Sequence, residues 1–132
     1  MTMGRVLSRL GEVPDLIYTS SAQRARETAM LAADSGGWDT EIIEIDDLYG
    51  TSAGEALRLA ASAPDDAERL MLVGHQPTWG YLVHQVTGGA VAMKTATVAG
   101  IDMRCDRWED APMAMGSLTY LLQPRMFTNW EL

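Results

Sequence analysis

Arg69-Leu70-Met71-Leu72-Val73-Gly74-His75-Gln76-Pro77 is an apolar run that stops abruptly at a glycine and a histidine. Such a run suits a buried strand of a parallel sheet, which is covered on both faces and so need not alternate. Pro77 suits the first turn of a following helix, where its missing N–H costs nothing. Trp79, Leu82, Val83 and Val86 then line one helical face, and Gly88-Gly89 stop it. A strand, a polar junction and a helix form the repeating unit of a layered α/β sheet. In such sheets ligands sit at the carboxyl ends of the strands.

The same unit recurs upstream. Residues 1–11 are predicted helical, with Met3, Val6, Leu7 and Leu10 at i, i+3, i+4, i+7 spacing and Gly11 as the stop. Leu16-Ile17-Tyr18-Thr19 reads as a short buried strand. Ser20 and Gln23 form a capping-box pattern for a helix to about Ala33, which Asp34-Ser35-Gly36-Gly37 ends. Residues 41–46 read as a strand. Ser52 and Glu55 form a second capping-box pattern, for a helix over 53–63 stopped by Pro64.

Downstream the period changes to two. From Thr95, the residues Ala96, Val98 and Gly100 alternate with Thr97, Ala99, Ile101 and Met103. A second strand, 117–123, follows a loop containing Trp108 and Pro112. Two strands without a helical pattern between them predict an antiparallel, hairpin-like edge.

The 132 residues fit one domain with one core, and the 47% hydrophobic and 21% charged fractions are those of an ordinary globular protein. No apolar run approaches the ~20 residues that span a bilayer, so no membrane role is expected. The N-terminus lacks the long apolar core of a signal peptide, and the expected location is cytoplasmic. Cys105 is the single cysteine, which excludes an internal disulfide and a multi-cysteine zinc site. The net charge of −8 argues against nucleic acid as a partner. It leaves room for a small phosphorylated ligand only if the site is locally positive.

Arg24 and His75 can supply that positive charge. Arg24 falls early in its helix, where its guanidinium can fold back toward the strand end and grip phosphate oxygens in a fork. His75 ends its strand and can donate a charged hydrogen bond to the same anion. Each has a plainer reading, as a solvated surface cation or a structural histidine. His84 falls opposite the apolar face of its helix and is expected to be exposed. Arg26 is expected to be solvated or paired, and the nine methionines to fill core.

Ser20-x-x-x-Arg24-Ala25-x-x-Thr28, followed by Leu72-Val73-Gly74-His75-x-Pro77, resembles the histidine phosphatase (phosphoglycerate mutase-like) superfamily. The spacing and small size resemble its SixA-type phosphohistidine phosphatase branch. Asp47-Leu48-Tyr49, Thr95-Ala96-Thr97-Val98-Ala99 and Pro124-Arg125 add to the likeness. The resemblance implies a three-layer α/β/α fold with a mostly parallel central sheet and an antiparallel edge, and no cofactor or metal. It implies attack on phosphorus by the histidine of an N-terminal Arg-His-Gly motif, giving a phosphohistidine that water hydrolyses. Two arginines and a second histidine hold the phosphoryl oxygens. On that pattern Arg24 matches the second arginine, His75 the second histidine and Ser20 the serine opening the arginine motif. Asp47 is the nearest match to the family's acid.

No Arg-His-Gly occurs among the 132 residues. The chain therefore reads as a histidine phosphatase-like domain over 1–132 without the family's first strand and nucleophile. A fragment or a late-assigned start is the favoured expectation, and a natural non-catalytic remnant the other. The expected substrate is a phosphorylated protein or small molecule, with little or no turnover by the chain as given. The rival readings are a phosphate- or phosphopeptide-binding module without catalysis, and a partner-binding domain that uses an exposed sheet edge. An unpaired edge also predicts self-association.

Overall fold

The computed structural model describes residues 2–128. Helix α1 spans Thr2–Arg9, and Met3, Val6 and Leu7 are buried as their spacing predicts. Leu10 departs from that stripe: it follows the last helical residue and is 53% exposed. Met1 lies outside the described residues. α1 lies against α2 (Gln23–Gly36). The approach is so close that a Cβ at Gly4 would run into the backbone carbonyl of Ala32.

The centre is β1 (Leu16–Ser20), buried at every position. It pairs in parallel with β2 (Glu41–Ile45) on one edge and β3 (Leu70–Val73) on the other, giving the order β2-β1-β3. Leu16 and Tyr18 point into a cluster with Leu48, Leu57, Leu82 and Val86. Alternation puts Ile17 and Thr19, 0% and 1% exposed, on the opposite face, toward α2. Helices thus cover both faces, α1 and α2 on one, and α3 (Ala53–Ala60) with α4 (Thr78–Thr87) on the other.

The antiparallel edge forms as expected, from β4 (Val98–Met103) and β5 (Gly116–Leu122), but as a separate two-stranded sheet. β4 begins three residues after the predicted Thr95, because residues 95–97 are taken by a turn in which Ala96 has a positive φ of 59°. A register shift between Gly100 and Ile101 breaks the simple alternation. The loop carrying Trp108 and Pro112 is a 3₁₀ segment, Trp108–Met113.

The capping predictions divide. Ser52 caps α3, accepting the Glu55 N–H at 3.2 Å, while the Glu55 carboxylate accepts the Thr51 hydroxyl at 3.1 Å. Ser20 does not cap α2. It remains in β1, the cap position falls to Ala22, and Gln23 donates to Glu27 at 2.9 Å. Central strand pairing thus overrides a local cap signal. α2 runs on to Gly36, where Gly37 closes it in the left-handed conformation, and α3 stops at Ala60, before Pro64. Among the described residues no helix is long and apolar enough to cross a membrane.

Candidate functional site

β3 and β4 belong to different sheets, and a groove of about 1010 Å³ lies between them. Its walls include every residue from Leu70 to Gln76 and from Thr95 to Met103. A cavity against a sheet face would meet alternate residues, so these unbroken runs mean that it meets strand edges. The relative direction of the strands follows from the bonds at their ends. Gln76 Nε2 donates to Met93 O at 2.6 Å beyond the carboxyl end of β3, and Trp108 Nε1 donates to Ala67 O at 2.5 Å before its amino end. β4 therefore runs antiparallel to β3.

The two ends of the groove differ in charge. At the amino end of β3, Arg69 pairs with Glu12 at 2.8 Å, and its N–H bonds the Asp15 carboxylate at 2.8 Å. Glu68 and Asp102 line the same end. At the carboxyl end the lining side chains include Arg24, His75 and Lys94. Among the described residues no ion pair joins any of these three to a carboxylate.

α2 follows β1 directly and places Arg24 in its first turn, exposed on the groove wall. His75 sits between β3 and α4, exposed, with the Tyr49 ring edge-on at 6.3 Å and 79°. The junction around His75 is held firmly. Thr78 donates to Thr51 O at 2.6 Å, and Gln76 accepts the Gly80 N–H at 3.2 Å besides reaching Met93. At Gly74 an added Cβ would lie 2.8 Å from the Trp79 ring, so the backbone and the indole pack with no room between them.

The structure thus brings Arg24 and His75 to one cavity. It does not bring Ser20 or Asp47 there. Ser20 is 0% exposed and its Oγ accepts the Ala22 N–H at 3.2 Å, so it shapes the turn into α2 instead of lining the groove. Asp47 is exposed on the 3₁₀ turn Asp46–Leu48, away from the groove wall. His84 is exposed on α4, outside the lining, and Arg26 pairs with Glu44 at 3.6 Å, both as expected.

Lys94 was not singled out from the sequence, yet it is the chain's sole lysine and lies in the loop that Gln76 ties to β3. That rarity in an acidic chain was the available signal. Among the described residues no cluster of metal-ligating side chains occurs. A second cavity, about 330 Å³ beside Asp15, Glu41 and Asp66, has no basic residue in its lining and does not suit an anion.

No protein-family model matches the chain. The chain is 28% identical over 118 residues to an uncharacterized chloroplastic protein of Arabidopsis thaliana. The match takes in 83% of this chain and 54% of that protein, so the chain spans about half the length of the curated relative it matches. Its fold matches a protein histidine phosphatase SixA complexed with tungstate, with a TM-score of 0.80 at 18% identity over 96% of this chain and 80% of that one. A candidate phosphohistidine phosphatase SixA from Agrobacterium tumefaciens superposes with a TM-score of 0.77 at 24% identity, over 93% and 76% of the two chains. Another from Nakamurella multipartitia gives 0.74 at 24% identity, over 93% and 78%. The three-layer α/β fold of this chain is therefore the SixA fold.

Proposed function

We propose that this chain is a SixA-type unit of the histidine phosphatase superfamily whose phosphoryl site is the cationic end of the groove. The observation that carries the reading is that Arg24, His75 and Lys94 all line the groove, none of the three in an ion pair with a carboxylate among the described residues, in a chain of net charge −8. Basic residues left unpaired along one groove of an acidic protein favour an anion there, and a fork-shaped guanidinium favours a phosphoryl group. The solved SixA that holds tungstate, a tetrahedral oxyanion like phosphate, supports the same chemistry. The substrate class is phosphohistidine in a protein, or another small phosphorylated molecule.

Arg24 would hold two phosphoryl oxygens, and an N–H of His75 would donate to a third as charge builds on them. Lys94 would add charge from the opposite wall. His75 is the only histidine lining the groove among the described residues, and on this reading it serves as the donor. With that role taken, the pocket has no second imidazole to attack phosphorus, and the 132-residue chain binds phosphate with little turnover.

The test pairs two measurements on this chain. Inorganic phosphate or vanadate binds at one site, and aryl phosphate hydrolysis stays near background. Hydrolysis at a rate ordinary for enzymes, about 1–1000 per second, that His75→Ala abolishes would instead make His75 the nucleophile.

A further inference from the structure

Residues 88–97 run from α4 to β4 without regular secondary structure, and Lys94 lies on this loop. Its ends are pinned locally. The Gly88 N–H bonds His84 O at 2.8 Å, and the Thr97 N–H bonds Lys94 O at 3.0 Å. Between those ends, one hydrogen bond among the described residues crosses to another part of the chain, from Gln76 Nε2 to Met93 O at 2.6 Å. Among the described residues no ion pair holds Lys94 in place.

The Gln76 side chain is held through both polar atoms of its amide. Its oxygen accepts the Gly80 N–H at 3.2 Å in the first turn of α4, and its nitrogen reaches the loop. The loop packs closely there, since a Cβ on Gly80 would stand 3.8 Å from Val91 O. The positions of the two partners matter. Gln76 follows His75 and Met93 precedes Lys94, so the bond joins the neighbours of two basic residues that line the groove. An ammonium on a loose loop must be ordered as an anion binds, and that ordering is subtracted from affinity. A loop already tied down avoids the loss.

We propose that Gln76 is a positioning residue for Lys94: its amide clamps the 88–97 loop so that the chain's sole lysine stands on the groove wall before an anion arrives. The inference rests on the phosphoryl reading of the groove and deepens it, by making the contribution of Lys94 depend on Gln76. A residue so near His75 has a rival role, acting on the imidazole directly. The two roles separate in a double-mutant cycle, because a clamp on Lys94 has nothing to position once Lys94 is gone.

The experiment has two arms. In the first, tungstate is titrated into the 132-residue chain, Gln76→Met, Lys94→Ala and the double variant. Methionine is close to glutamine in size and lacks the amide. Each single change should weaken binding about threefold, the scale of an exposed charge contact, and the double variant should bind no more weakly than Lys94→Ala. The second arm needs no anion. A lysine-specific endoproteinase can cut this chain only after Lys94, and its rate reports how often the loop opens. Gln76→Met should be cut at least about threefold faster. Gln76→Glu should be cut faster as well, since its carboxylate can accept the Gly80 N–H but cannot donate to Met93 O. Tungstate that fails to bind the unmodified chain overturns the phosphoryl reading, and this inference with it. Binding that Gln76→Met leaves unchanged, or weakens equally with and without Lys94, overturns this inference alone. So does cleavage after Lys94 at an unchanged rate in either Gln76 variant.

Discussion

β1 and β3 are similar apolar runs that differ in burial. Both are short apolar runs followed by a polar junction and then a helix. β1 is buried at all five positions, and β3 is half-buried at all four. The difference is in the neighbours: β1 is paired on both edges, and β3 only on the side toward β1. An apolar run therefore specifies a strand, but burial is conferred by what lies beside it. The edge that leaves β3 half-covered also opens the groove that Arg24 and His75 both line.

The largest expected effect breaks that contrast directly. Ile17→Ala removes a side chain that is 0% exposed and should cost about 3 kcal/mol or more. Leu72→Ala, on half-buried β3, should cost about half as much, because solvent already reaches the site. Urea denaturation of both variants measures the difference. Equal losses would mean that β3 is as well covered as β1.

Next comes the cationic end. Arg24→Ala should weaken phosphate or vanadate binding by about tenfold to a hundredfold, the loss of a charged hydrogen-bonding partner worth roughly 1.5–3 kcal/mol. Its effect on melting should be small, since the side chain is exposed. Smaller still is the cap contrast. Ser52→Ala should cost about 1 kcal/mol, because its Oγ satisfies the Glu55 N–H. Gln23→Ala should change almost nothing, because its side chain reaches only the exposed Glu27.

The smallest effect is one of pH. Tyr120 lines the groove near Glu12 and Arg69, and its phenol is pushed above the ordinary value near 10. Burial is the main cause, the Glu12 charge adds to it, and Arg69 opposes it. A raised folded value favours the protonated form. The stability it contributes is intact below the unfolded value and is lost as pH rises through the folded one. An ultraviolet titration should therefore find one tyrosine ionising later in the folded chain than in urea.

The alternation of strands and helices over 15–89 was legible because buried parallel strands and capped helices carry local signals. The Ser20-Gln23 pattern misled because a cap motif is local, whereas the pairing of β1 on both edges is not. Thr95 misled for a related reason: alternation predicts a strand but not the turn that delays it, with Ala96 at positive φ. At the site, Arg24 and His75 were legible as strand-end cations. Asp47 was not separable from ordinary loop polarity, and Lys94 joined the groove through a long loop that no spacing rule connects to β3.

The most direct test of the central claim is calorimetric titration of the 132-residue chain with tungstate. One site should appear in the unmodified chain, should weaken at least about tenfold in Arg24→Ala and in His75→Ala, and should persist in His84→Ala. No binding by the unmodified chain, or binding that those two changes leave intact, would contradict the assignment of the phosphoryl site to the cationic end of the groove.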